Sequence, residues 1–338
     1  MSYFDNKRVV LLGGASLIGT HLADKLTTLG VKSLKIVDDL SAGKKENISK
    51  DVEFKKADLR DWHNSIEAVW GADIVFHLAA QHGGRGYVAT HDVELYNNLE
   101  LDTTIFRACA EARVGKVVFS SSACAYPTDL QTNSDDIVYL SEDLIDYKNM
   151  RQADGAYGTE KLIGEAMLDA YIEKGYFQGC STRSFTVYGP LMNESHAIAA
   201  FIAKTMIRQE PFEIWGNPEK EQIRNWTSVW DNVDGALLAA EHLDRGAINI
   251  GIEERYRPSD ALLYIWGIMG WRPKNLNWLS DKPVGPVNRV ADATKLKSLG
   301  WNPQYTFREG LGKTIEWYVS THNADELRES LERKLTER

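Results

Sequence analysis

Tyr157 and Lys161 stand four residues apart in Tyr157-Gly158-Thr159-Glu160-Lys161. On a helix, positions i and i+4 share a face, so this spacing brings a phenol and an ammonium together. A cation beside a phenol favours the phenolate, and such a group can take a proton from an alcohol as hydride leaves the same carbon. Upstream, Ser120-Ser121-Ser122 closes an apolar run, and Ser122 supplies a hydroxyl to hold the alcohol oxygen. Cys124 follows two residues later and is a candidate thiolate base, provided a cation or the bound substrate lowers its pKa.

A second group of residues reads as an anion cradle. Gly13-Gly14-Ala15-Ser16-Leu17-Ile18-Gly19 follows the apolar run Val9-Val10-Leu11-Leu12. Gly13 permits a tight turn, and small residues after it let backbone N–H groups approach a pyrophosphate. Gly19 lets the next helix pack on the strand with its N-terminus toward the anion. Ser16 occupies the middle glycine position, where its hydroxyl can donate to a phosphate; Leu17 and Ile18 complete the turn. Asp38 ends the second strand, 25 positions beyond Gly13. Its carboxylate suits ribose hydroxyls and repels a 2′-phosphate, so NAD is expected rather than NADP. Asp58 and Leu59 follow the third strand and Leu78, Ala79 and Ala80 the fourth, where strand ends line the ligand crevice. Asp58 is assigned to the adenine amino group, and the small Ala79-Ala80 pair to a close passage past the cofactor.

These groups need a scaffold that delivers them to one edge. Short strands around residues 9–12, 34–37, 52–54, 74–78, 117–120 and 179–185, apolar runs rather than alternating ones in the clearest cases, alternate with helical patterns over 17–29, 62–70, 93–112 and 157–174. That alternation implies an α/β fold, a doubly wound parallel sheet of Rossmann type covered on both faces. The dinucleotide domain is placed at 1–185, with return segments near 226–250. A smaller C-terminal α/β substrate domain is placed at 186–338, its end (323–338) reading as a charged, frayed helix. A chain of 338 residues can bury such a core. The net charge of −9 argues against nucleic acid and anionic membrane as partners. No run of 18 apolar residues occurs, so no membrane span is expected. Cys109, Cys124 and Cys180 are widely separated, imply no disulfide or zinc, and fit a reducing cytoplasm. His82 and His91 have no third ligand at a sensible spacing, so no metal is expected.

Taken in order, Gly-Gly-Ala-x-x-Ile-Gly, Asp38, Ser-Ser-Ser-Ala-x-x-Tyr, Tyr157-x-x-x-Lys161 and Tyr188-Gly189-Pro190 resemble the extended short-chain dehydrogenase/reductases, the nucleotide-sugar epimerase and dehydratase family. The resemblance runs from about Val9 to Tyr318. It implies a tightly held NAD that oxidises a sugar carbon, usually C4, a nucleotide-diphosphate sugar as substrate, and a homodimer through helices around Val93–Ala112 and Tyr157–Lys174. Ser121-Ser122-Ala123-Cys124-Ala125-Tyr126-Pro127 lacks the Asp-Glu pair of the 4,6-dehydratases and is similar to the GDP-mannose 3,5-epimerase branch, in which the cysteine transfers a proton. Ala80-Gln81-His82-Gly83-Gly84-Arg85-Gly86-Tyr87 resembles that branch's substrate loop, and Ala199–Lys204 its segment with a catalytic lysine.

By this resemblance Ser122, Cys124, Tyr157, Lys161 and Lys204 are catalytic. Gly84, Arg85, Gly86 and Thr186 contact the sugar, and Arg224 and Arg289 clamp the diphosphate. The chemistry is coherent: a C4 ketone makes the C3 and C5 hydrogens acidic, Cys124 removes one, and Lys204 returns a proton from the other face. Ser16, and Thr186 at a position usually held by asparagine, depart from the branch. Two alternatives stay open: a 4-epimerase or 4-oxidising dehydrogenase, and an NAD-binding module without catalysis.

Overall fold

The computed structural model describes residues 2–133, 136–148 and 150–335. Seven parallel strands form the central sheet: β1 (Arg8–Leu12), β2 (Ser33–Asp38), β3 (Glu53–Lys56), β4 (Ile74–His77), β5 (Lys116–Ser122), β6 (Gln178–Ser184) and β7 (Ala247–Ile250). Their spatial order is β7-β6-β5-β4-β1-β2-β3. The order reverses between β1 and β4, and ligands bind at such a switch point, beyond the carboxyl ends of the strands. Gly13, Asp38, Asp58, Ala79 and Ser122 stand at or just beyond those ends.

Both faces of the middle of the sheet are covered, which is why β1 and β4 read as nearly unbroken hydrophobic runs. Val9, Leu11, Ile36 and Phe76 pack on one side with Leu22 and Leu26 of helix α1 (Leu17–Thr27). Val10, Leu12, Val37 and Val75 pack on the other with Leu101, Ile105 and Phe106. The helix expected over 93–112 is interrupted: residues 92–96 form one short helix and α2 (Asn98–Glu111) begins after Asn97. The buried Asn98 side chain accepts the Gln81 N–H at 2.6 Å and donates to the Gln81 carbonyl at 2.9 Å, tying the start of α2 to the loop after β4. Helix α3 (Gly155–Glu173) crosses behind β5 and carries the Tyr-Lys pair.

Residues 247–250 form the edge strand β7 of the central sheet. Helix 229–242 is capped by Ser228, whose hydroxyl accepts the Asp231 N–H at 3.1 Å, and β7 pairs in parallel with β6 from Ala247 opposite Ser181. A separate apolar cluster holds the remaining C-terminal elements, including Phe201, Phe212, Trp226, Trp266 and Phe307. The charged tail is not frayed over its described part. Helix 324–334 buries Leu327 and Leu331 in that cluster, because two leucines four apart make one apolar stripe. Residues 336–338 lie outside the described residues. Among the described residues no helix is long and apolar enough to cross a membrane.

Candidate active site

Gly13, Ser16, Asp38, Asp58, Leu59, Leu78, Ala79 and Ala80 line one recess at the strand ends. Leu17 and Ile18 line the adjoining cleft of about 1010 Å³. Gly19 instead faces the turn. Gly13 has φ +79, and a Cβ there would stand 2.5 Å from the backbone of Ala79, so the β1 and β4 loops approach more closely than any side chain allows. The Ser16 hydroxyl caps α1: it donates to the Gly13 carbonyl at 3.0 Å and accepts the Gly19 N–H at 3.3 Å. Asp38 accepts the Ala15 N–H at 2.9 Å and the Leu40 N–H at 2.8 Å. The carboxylate read as a ribose ligand thus also fastens the glycine turn. Asp58 pairs with Arg60 at 2.6 Å, and hydrogen bonding to that guanidinium holds its carboxyl below the usual range. A turn too tight for a Cβ, a helix N-terminus and an acidic strand end together fit a dinucleotide.

Beyond the recess, Ser122, Cys124, Tyr157, Lys161, Thr186 and Lys204 line the larger cleft, together with Gly84, Arg85, Arg224 and Arg289. Gly86 sits behind that wall, where a Cβ would meet the Trp215 ring at 3.1 Å. At Gly84 a Cβ would overlap the Ser195 carbonyl, and its N–H donates to the Ser195 hydroxyl at 3.0 Å. This loop therefore docks on the segment before helix α4 (Ala197–Met206). Thr186 adopts φ +34, an outlier for a β-branched residue.

The Lys161 ammonium lies 5.7 Å from the centre of the Tyr157 ring, 4.9 Å from that of Phe119, and 3.6 Å from Glu160 Oε1. Proximity is as expected, but the phenol is not lowered. Burial, then the negative charges of Glu160 and Cys124, hold it well above its ordinary value, against the pull of a Ser122 hydrogen bond. The physical reason is enclosure: the His82 ring packs 4.8 Å from the Tyr157 ring, and His196 lies 5.4 Å beyond His82. Burial pushes the His196 imidazole down to about 4.

Cys124 sits in the turn after β5, its N–H donating to the Ser122 hydroxyl at 3.1 Å. Arg289 Nη1 donates to Cys124 Sγ at 3.0 Å, Nη2 to Asp154 Oδ2 at 2.8 Å, and Nε to Gln131 Oε1 at 2.8 Å. The cation beside Cys124 is therefore the arginine read as a diphosphate clamp. Asp154 also accepts Arg85 Nη1 at 3.0 Å. Burial opposes the Asp154 charge, but Arg289 and Arg85 outweigh it and hold the carboxyl below its ordinary value. Arg224 donates to the carbonyls of Ile223 and Pro286, at 2.8 and 2.7 Å; burial, then repulsion from Arg289, bring it down to about 9. Lys204 on α4 donates to the Glu213 carbonyl at 2.8 Å, and burial pushes it down to about 8.

The sequence reading missed Asp154, Gln131 and Glu160. Asp154 lies 69 positions from Arg85 and 135 from Arg289, so no spacing announces it. Its place just before α3 was the one local signal, an acidic residue at a helix start. The other cysteines are packing: Cys109 is fully buried, and burial pushes the Cys180 thiol up to about 12.

Fold and cleft define a nucleotide-binding oxidoreductase-type site. Residues 9–251 match the NAD dependent epimerase/dehydratase family, and the chain belongs to it. It is 30% identical over 321 residues to GDP-mannose 3,5-epimerase 1 of Oryza sativa subsp. japonica, covering 92% of this chain and 81% of the relative. A putative UDP-glucose 4-epimerase of Methanocaldococcus jannaschii is 28% identical over 315 residues, covering 91% of this chain and 97% of that protein. The UDP-glucose 4-epimerase of Thermotoga maritima, solved with UDP-glucose, superposes with a TM-score of 0.81 at 26% identity, covering 93% of this chain and 99% of that one. The chain is an NAD-dependent enzyme of the nucleotide-sugar epimerase and dehydratase group.

Proposed function

We propose that the chain epimerises a nucleotide-activated hexose at C3, C5 or both, through a transient C4 ketone. The observation that carries this is the Arg289 guanidinium on Cys124 Sγ at 3.0 Å, in the cleft that Lys204 also lines. A simple C4 oxidation needs neither group. NAD, held by the Gly13–Gly19 turn and the Asp38 strand end, supplies the hydride acceptor and donor at C4. Tyr157, with Ser122 beside it, takes the C4 hydroxyl proton, and Lys161 holds positive charge next to the phenol. Cys124, with the Arg289 guanidinium on its sulfur, is assigned to remove a proton α to the ketone. Lys204, brought down to about 8, can give a proton and regain it near neutral pH. Arg85 and Arg224 are assigned to the sugar and diphosphate. Exposed Val93 and Tyr96 on the outer surface of the 92–96 helix support a homodimer through that face.

The test is turnover in deuterium oxide with NAD and a panel containing GDP-mannose and UDP-glucose, read by proton NMR. Deuterium at C3 or C5, lost in Cys124→Ser and Lys204→Met, is the expected result. Product inverted only at C4, with no carbon-bound deuterium, would establish the 4-epimerase reading that the UDP-glucose 4-epimerase relatives support.

A further inference from the structure

Beneath Tyr157 lies a closed polar cluster that the proposed chemistry does not use. His77 at the end of β4 meets Asp102 of α2, Nε2 to Oδ1 at 2.8 Å, both side chains fully buried. Glu160 of α3, also fully buried, accepts Asn98 Nδ2 at 3.1 Å and faces Lys161 at 3.6 Å. His77 Nδ1, Asp102 Oδ2 and Glu160 Oε2 are shut from solvent without a hydrogen-bond partner. Around Glu160, α2 contributes Asp102 and Asn98, β4 contributes His77 through Asp102, and α3 contributes Lys161 and Tyr157. Cys124 and Ser122 face the phenol from the end of β5.

Charge counting shows what such a cluster does. Glu160 and Asp102 place two carboxyl groups near the phenol while the one ammonium lies 3.6 Å from Glu160, and a buried surplus of negative charge is costly. Adding one proton removes the surplus.

We propose that Glu160 is a positioning residue: its carboxyl fixes the Lys161 ammonium beside Tyr157, and by holding or releasing one proton it sets the charge against which the phenol ionises. Burial pushes the Glu160 carboxyl up to about 8 despite Lys161, so the change falls in the range where enzymes of neutral pH work. The negative charges of Glu160 and Asp102 both disfavour the phenolate. A neutral Glu160 therefore favours it. This inference rests on Tyr157 as the proton-transfer group at C4.

The test reads the phenol directly. Full-length protein carrying tyrosine labelled at 13Cζ is titrated by NMR, with Tyr157→Phe to assign the resonance. In Glu160→Gln, which keeps the hydrogen bond but cannot ionise, the Tyr157 transition moves to lower pH by about one unit, a tenfold change in the ionisation constant. Asp102→Asn, which keeps the His77 contact, moves it the same way by less, and stands in if the first variant does not fold. The rising limb of kcat against pH moves with the NMR transition while KM holds. A Tyr157 transition that superimposes on the parent in both variants overturns the proposal. An NMR shift without movement of the kcat limb leaves Glu160 coupled to Tyr157 and instead removes Tyr157 from proton transfer at C4.

Discussion

Helix α3 separates two buried polar clusters built on opposite principles. Glu165 and Glu160 are five residues apart on it, so they point to different sides. On the Glu165 side, Arg183 donates from Nε at 3.0 Å and Nη2 at 2.7 Å to Glu165, and from Nη1 to Tyr126 Oη at 3.1 Å and the Glu142 carbonyl at 3.0 Å. Ser121 and Tyr147 also donate to Glu165, and Tyr126 donates to Asn249 at 2.7 Å. None of these side chains has an unpaired buried atom. On the Glu160 side three such atoms remain. The saturated cluster ties β5, β6, β7 and α3 into one frame and fixes the turn that carries Cys124. The unsaturated one sits under the phenol, where charge must change during a reaction. Full pairing gives rigidity; incomplete pairing leaves buried polar atoms uncompensated.

Several substitutions break or sharpen that contrast. Tyr157→Phe strikes the responsive side: turnover falls about 10²–10⁴-fold, with the thermal midpoint unchanged, as read by product NMR beside a melting curve. Arg183→Met strikes the frame: it strands the Glu165 charge and costs about 3–5 kcal/mol, seen as a lower urea midpoint. Adding Glu165→Gln recovers part of that loss, because the two residues share one network.

Lys204 gives a pH test. Its folded pKa, about 8, lies below the ordinary 10.5, so between these values the unfolded chain binds more protons. Stability therefore rises as pH goes from 8 to 10.5, with the full cost present below 8. Lys204→Met removes that slope in urea titrations at pH 8 and 10. The smallest effect is at the cysteine. Arg289→Met slows iodoacetamide alkylation at neutral pH by about tenfold, because it removes the guanidinium that donates to the sulfur; an unchanged rate would separate Arg289 from Cys124 reactivity.

The local elements of the dinucleotide half were legible in the sequence because they follow short-range rules. A continuous apolar run marks a doubly covered strand, Gly13–Gly19 marks a turn opening a helix, and Tyr157 and Lys161 mark one helix face. Where local rules compete with a long-range contact, the reading slipped: the Asn98–Gln81 clasp breaks a helix whose hydrophobic pattern runs on, and Leu327 with Leu331 seats a tail whose charge suggests fraying.

The sequence by itself determined the α/β class, the phosphate-binding turn, the acidic strand end and the inventory of reactive groups, since each is written within a few consecutive residues. Only the tertiary structure decided which charge acts on which reactive atom. Arg289 reaches Cys124 across 165 positions, Asp154 joins Arg85 to Arg289, and Glu160 and Cys124 bring negative charge to the Tyr157 phenol. Electrostatic influence depends on distance and burial in space, and neither is encoded in separation along the chain.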